Sequence, residues 1–219
     1  MLKNTLPLRQ ANLVVTILGE VLTQRSSLDK AYARAFSELR LSSSEQAAVT
    51  VVTGDLLRRL NLYAALAGIA TEEAATAAWS LLCVWHQFYN LPLPECHAAK
   101  LFELKRYESH KAAARSQYAL WDGCPEWLET LGQAQLGEAW PHERKALSTA
   151  PARYLRVNTL KCDMPTLIQR LTDEGVQTRP VKGVHSALEV QNDVSLFRTN
   201  AFQDGWFEQQ DAGSQLIAP

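Results

Sequence analysis

Hydrophobic residues change their spacing once along this chain, near residue 150, and that switch sets the fold class. Before it, apolar residues recur every three or four positions, the interval that places them on one face of a helix. After it, residues 153–159 read Arg-Tyr-Leu-Arg-Val-Asn-Thr, an alternation that suits a strand with one buried face. The chain is therefore expected to be mainly α, with a helical domain over residues 1–148 and a small α+β domain over 149–219. No internal repeat or low-complexity segment interrupts this order.

Within the first part, Leu13, Val14, Ile17, Leu18, Val21 and Leu22 predict one helix, and Leu28, Ala31, Tyr32, Ala35, Phe36 and Leu39 predict a second after Ser27. Residues 42–44 are serines, and Ser42 followed by Glu45 has the form of a capping box. It opens a pattern that runs to Leu66. Gly54 sits inside that pattern, where a glycine is costly, so a close helix contact is expected there. Thr71 is expected to cap a helix over 72–89 whose first turn holds Glu72 and Glu73.

That helix is apolar on nearly every side, which predicts the centre of the bundle, and the Pro92 and Pro94 region is expected to stop it. Shorter helices are predicted over 95–107, 111–120, 125–135 and 141–148, two of them opening with proline. Beyond residue 150 the expected order is a strand, a helix over 165–174 ended by Gly175, and strands over 176–181 and 187–191.

The formal net charge of -1 excludes a whole-chain polyanion binder, so any nucleic-acid surface has to be local. The best local case is residues 144–162, which hold Arg144, Lys145, Arg153, Arg156 and Lys161 and no acidic residue, so that a phosphate backbone can lie along them. A second basic set, Lys100, Lys105, Arg106, Lys111 and Arg115, is diluted by Glu103 and Glu108. Ordinary solvated side chains are the alternative for both sets.

No other chemistry stands out. Four scattered cysteines, Cys83, Cys96, Cys124 and Cys162, include no C-x-x-C pair, which fits a reducing cytoplasm rather than zinc or a secreted scaffold. The five histidines form no metal-ligand pattern, and helix packing or exposure explains them. Ten glycines include no G-x-G, so there is no dinucleotide fingerprint and no phosphate-binding loop. Asp122 with Glu126, and Asp173 with Glu174, sit where acids serve as caps. The apolar stretch over 13–22, preceded by Lys3 and Arg9, contains Thr16 and Glu20 and reads as a core helix, neither a signal peptide nor a membrane span. Catalytic, cofactor and metal residues are therefore expected to be absent.

Two segments carry a resemblance to a known family. Residues 202–219 contain Gly205, a short strand through Phe207, Gln210-Asp211, then Ala212 and Ser214-Gln215 opening a helix. This is similar to the segment leading into the S-adenosylmethionine fold of Sun/Nop RNA cytosine-5 methyltransferases. Leu155-Arg156-Val157-Asn158-Thr159 resembles the strand that begins the domain before that family's catalytic one. Upstream, Pro125-Glu126-Trp127-Leu128 and Pro94 with His97-Ala98 resemble other steps of the family, and Gly54 to Arg59 resembles a NusB-like segment.

The resemblance implies a NusB-like helical bundle followed by an RRM-like α+β domain, in a chain cut short before the catalytic fold. The parent would be an S-adenosylmethionine-dependent methyltransferase acting on ribosomal or transfer RNA, with ribosomal RNA the expected partner. In that family the reactive cysteines lie in Pro-Cys and Thr-Cys motifs, because a thiolate has to add to the cytosine ring. Here the cysteines follow Leu82, Glu95, Gly123 and Lys161, so the chain alone is expected to be inactive, with neither cofactor nor metal. Arg153, Arg156 and Lys161 are the expected phosphate contacts, with Arg144 and Lys145 next. Asn158 is expected to make a strand-end turn, and Asp211 to cap the helix begun by Ala212, in a turn that abuts the cofactor pocket of the parent. The alternative is a free-standing NusB-like adaptor that binds RNA or protein without catalysis.

Overall fold

The computed structural model describes residues 5–24, 26–192 and 194–217. Lys3, Ala218 and Pro219, which entered the reading of the two ends, lie outside the described residues. The chain forms two compact units, residues 1–150 and 151–219, the first helical and the second a small α+β fold.

The first unit opens with α1 (Leu8–Gln24), whose Leu13, Val14, Ile17 and Leu18 are buried, and α2 (Leu28–Glu38), begun at Ser27. The capping box is present as expected. Ser42 Oγ accepts from the Glu45 N–H at 3.3 Å, and the Glu45 carboxylate accepts from the Ser42 N–H at 2.8 Å, starting α3 (Ser43–Arg58). The helical pattern does not run unbroken to Leu66. It turns at Arg59 and resumes as α4 (Leu60–Ala67), ended by Gly68 at φ 69°. Gly54 does not mark a close helix contact, because a Cβ there would meet only the Arg58 side chain at 3.4 Å.

The central helix, α5 (Ala78–Phe88), buries Leu81, Leu82, Cys83, Val84, Trp85 and His86, as its apolar circumference predicts. It begins later than expected, because residues 71–73 form a 3-10 turn. There the Thr71 hydroxyl donates to Asn61 Oδ1 and Glu73 accepts from the Ala70 N–H, so both bond locally and Thr71 does not cap α5. Nor do the prolines end it. Asn90, at φ 56°, lets the Leu91 N–H reach the His86 carbonyl at 2.8 Å, a left-handed C-cap two residues ahead of Pro92.

Asp55 joins three helices at one atom. Its Oδ2 accepts from Tyr63 Oη at 2.6 Å, Trp85 Nε1 at 2.9 Å and Tyr89 Oη at 2.9 Å, tying α3 to α4 and α5. Burial, then the nearby carboxylate, raises the pKa of both tyrosines, so they remain donors.

The remaining helices are α6 (His97–Lys100), α7 (Leu104–Arg115), α8 (Tyr118–Trp121), α9 (Glu126–Leu136) and α10 (Trp140–Leu147). The expected helix over 95–107 is thus two, and α7 runs through the expected break near residue 109. Two of its side chains explain the shift: Arg106 donates to the Gly68 carbonyl, and His110 Nδ1 lies 3.2 Å from the Leu66 carbonyl, capping the end of α4. Pro125 precedes α9 as its N-cap rather than lying in its first turn, whereas Pro141 does occupy the first turn of α10. Gly132 on α9 is required by contact, since a Cβ there would stand 2.2 Å from the Trp140 ring.

In the second unit, β1 (Arg153–Val157), α11 (Met164–Asp173), β2 (Thr178–Pro180), β3 (Ala187–Val190), α12 (Asn200–Gln203) and β4 (Phe207–Gln209) are followed by α13 (Ala212–Ile217). The sheet order is β2-β3-β1-β4 with every pair antiparallel, the ferredoxin-like arrangement that RRM-like domains share. Leu155, Val157, Leu188, Val190 and Phe207 point to the side where Leu167 and Leu171 of α11 complete the core. Asp163 caps α11 by accepting from the Thr166 N–H at 2.9 Å, and Gly175 ends it at φ 80°.

Candidate nucleic-acid interface

Alternation along β1 sends Leu155 and Val157 inward and leaves Arg156 exposed on the other face of the sheet. On that face Tyr154 is opposite Glu189, Arg156 is opposite Glu208, and Arg179 of β2 is opposite Glu189. Arg179 Nη2 binds Glu189 at 2.7 Å, and this bond holds the Glu189 carboxyl below its usual range. Acids thus alternate with bases, and Tyr154 is the aromatic of β1. An RRM stacks two or three bases on aromatics of its sheet, so this face lacks that platform although the strand order is shared.

Two of the expected contacts, Arg156 and Lys161, are exposed on and just after β1. Arg156 donates to Gln210 Oε1 at 3.3 Å and otherwise faces solvent. Lys161 lies in the turn after β1, its Nζ donating to the Asp204 carbonyl at 2.6 Å over Gly205. That turn is fixed by Asn158, which donates to the Gly205 carbonyl at 2.8 Å and accepts from the Leu160 N–H at 3.2 Å, so Asn158 is a turn residue as expected. Leu160 is left 96% exposed at its tip. Residues 159–164, with Val157 and His185, line a cavity of about 410 Å³.

Two of the other three expected contacts differ from these. Arg153 donates to the carbonyls of Asn192 at 2.6 Å and Val194 at 2.8 Å, which makes it the clasp of the loop after β3. Arg144, on α10 in the helical unit, is buried. Its Nε donates to Asp122 at 2.8 Å and its Nη1 to Glu129 at 3.0 Å, while Trp140 Nε1 donates to Glu129 at 2.6 Å. Burial opposes the Arg144 charge, the two carboxylates outweigh it, and its pKa is raised. A guanidinium so enclosed has no face to offer a phosphate, and this expectation is corrected: Arg144 locks α9 to α10. Lys145 beside it is exposed.

One acid of each candidate pair has a structural task. Glu174 accepts from the N–H groups of Asn200 at 2.6 Å and Ala201 at 3.1 Å, and Asp122 holds Arg144. His86 is buried and bridges the Leu82 carbonyl at 2.8 Å and the Leu6 N–H at 3.4 Å. Burial raises the thiol pKa of Cys83, Cys124 and Cys162, the reverse of an activated nucleophile. Among the described residues no three metal-binding side chains gather, and no helix is long and apolar enough to cross a membrane.

One residue with a clear task carried no role in the sequence reading. Gln215 is buried on α13, where its Nε2 donates to the carbonyls of Leu155 and Gln210 and its Oε1 accepts from Ser186. It stitches α13 to β1. The Ser-Gln step of the resemblance was its signal. Asp211 caps the same helix through the Gly213 N–H at 2.8 Å.

Residues 124–196, about a third of the chain, match the family model described as Methyltr_RsmF/B-like, ferredoxin-like domain. The match takes in α9, α10 and the fold from β1 to β3. The crystal structure of PH0851 is similar to this chain with a TM-score of 0.63 and 15% identity, over 95% of this chain and 54% of that one. At that identity the likeness carries the fold alone, and the chain spans about half the length of its structural relative. No curated protein matches the chain.

Proposed function

We propose that this chain is the RNA-binding front of an S-adenosylmethionine-dependent RNA cytosine-5 methyltransferase, in which a NusB-like helical unit and the ferredoxin-like unit hold RNA for a catalytic domain. The observation that carries the reading is the match of residues 124–196 to the ferredoxin-like domain of a methyltransferase family. Phosphate contacts are assigned to Arg156 and Lys161 on and after β1, with Lys145 as a further contact and Arg153 holding the loop beside them. A sheet face of paired charges with one aromatic on β1 favours contact with backbone over stacking of bases. The substrate is ribosomal RNA and the setting cytoplasmic. The Gln210-Asp211 turn borders the cofactor pocket, and the residues of this chain by themselves transfer no methyl group.

The test is binding of the purified chain to a structured ribosomal RNA fragment across a salt series, with transfer RNA as comparator. Affinity should fall as salt rises, and replacing Arg156, Lys161 and Lys145 with alanine should lower the slope of log affinity on log salt by about 0.7 to 0.9 per lost contact. An unchanged slope removes these residues from the interface. In parallel, calorimetry with millimolar S-adenosylmethionine should give no saturable heat; a saturating isotherm would refute the reading that the cofactor is held by a domain outside these residues.

A further inference from the structure

Cys83 and Cys96 stand thirteen positions apart in sequence, yet their Sγ atoms are 4.0 Å apart. Both are free thiols, and both line a cavity of about 640 Å³ whose walls include Trp79, Phe102 and Tyr107. The juxtaposition is built by the segment between them. Asn90 reverses the chain at the end of α5, and Leu91-Pro92-Leu93-Pro94 returns it as a stiff connection to Cys96, which precedes α6.

We propose that Cys83 and Cys96 form an oxidation site of the helical unit, converted by a peroxide into a disulfide on the cavity wall. The two thiols differ in the way a stepwise reaction needs. Cys96 is half-buried and reachable through the cavity, whereas Cys83 is 1% exposed. Burial, and then the neighbouring sulfur, pushes the Cys83 thiol up to about 12, so the first attack falls to Cys96.

The Cys96 thiolate attacks one peroxide oxygen, the O–O bond breaks, and the departing hydroxide takes up the thiol proton to leave as water. Cys96 is then a sulfenic acid. Cys83 Sγ bonds to Cys96 Sγ while the sulfenic hydroxyl leaves with the Cys83 proton as a second water. Two thiols lose two electrons, and the peroxide gains them. Closure brings the sulfurs roughly 2 Å nearer, to bonding distance. The other thiols lack such a partner: Cys124 contacts the Pro125 carbonyl, and Cys162 those of Asn158 and Trp206.

The experiment treats the native chain with stoichiometric hydrogen peroxide, counts free thiols and maps peptides without reduction. The four free thiols should fall to two, with one linkage joining Cys83 to Cys96. The same treatment in denaturant should lose that selectivity. In Cys96→Ser, which leaves the buried Cys83 untouched, Cys83 should stay reduced. Linkages through Cys124 or Cys162, four surviving thiols, or equally rapid oxidation of Cys83 in Cys96→Ser would each overturn the assignment.

Discussion

Replacing Asp55 with alanine removes the one carboxylate oxygen that accepts from three donors, Tyr63, Trp85 and Tyr89. Tyr63 is 0% and Trp85 2% exposed, so their O–H and N–H have no solvent to turn to; Tyr89 is half-buried. A buried donor left without a partner costs about 1–3 kcal/mol, and the half-buried one costs about 0.5–1.5 kcal/mol. The sum centres on roughly 4–5 kcal/mol, against a stability of about 5–15 kcal/mol for an ordinary domain. Asp55→Asn keeps an acceptor oxygen and loses only the charge, so it should cost about 1–2 kcal/mol. Urea unfolding followed by helical circular dichroism reports mainly the first unit, which holds α1 to α10, against α11, α12 and α13 in the second. A loss below about 1 kcal/mol in Asp55→Ala would refute the claim that this carboxylate joins the helices.

His86 provides a pH test. Burial lowers its pKa, although the bond to the Leu82 carbonyl opposes this, so the folded unit keeps the ring neutral where the unfolded chain takes up a proton. Stability should hold above about pH 6.5 and fall below it, by at most about 1.4 kcal/mol per pH unit, until the folded ring itself titrates; His86→Gln should flatten the profile in urea titrations. Gly132→Ala places a methyl against the Trp140 ring and should cost about 1–3 kcal/mol by thermal unfolding, with Gly137→Ala, which meets no atom within 4 Å but sits at φ 51°, as the contrast set by backbone strain alone. Arg144→Ala should destabilise the unit by about 2–4 kcal/mol while leaving the salt slope of RNA binding unchanged, because its charge is already neutralised by Asp122 and Glu129.

Amphipathic helices were legible wherever burial alone sets the pattern. Val14, Ile17 and Leu18 on α1 and the apolar girth of α5 are cases in which the sequence period and the buried face coincide. Reading failed where a side chain from elsewhere decides the local backbone. α7 has little buried on it beyond Tyr107 and Ala114, so its period is faint, and its continuity depends on Arg106 and His110 reaching the end of α4. Gly54 looked like a contact glycine because spacing cannot show what stands opposite, whereas Gly132, with Trp140 against it, was the contact. The basic stretch around β1 was visible as a run of charge. That Arg144 faces Asp122 and Glu129, 22 and 15 residues away, was not, since partners so distant leave no mark on the run.

The sheet of the second unit is open, and an open sheet is a template on which another chain can grow. Here both edges are poor templates. β2 and β4 are three residues long, and β2 ends in Pro180, which has no N–H to donate. An invading strand would find few free backbone groups before the edge ran out. Self-association of this unit at high concentration should therefore arise from side chains such as the 96% exposed Leu160 rather than from strand addition.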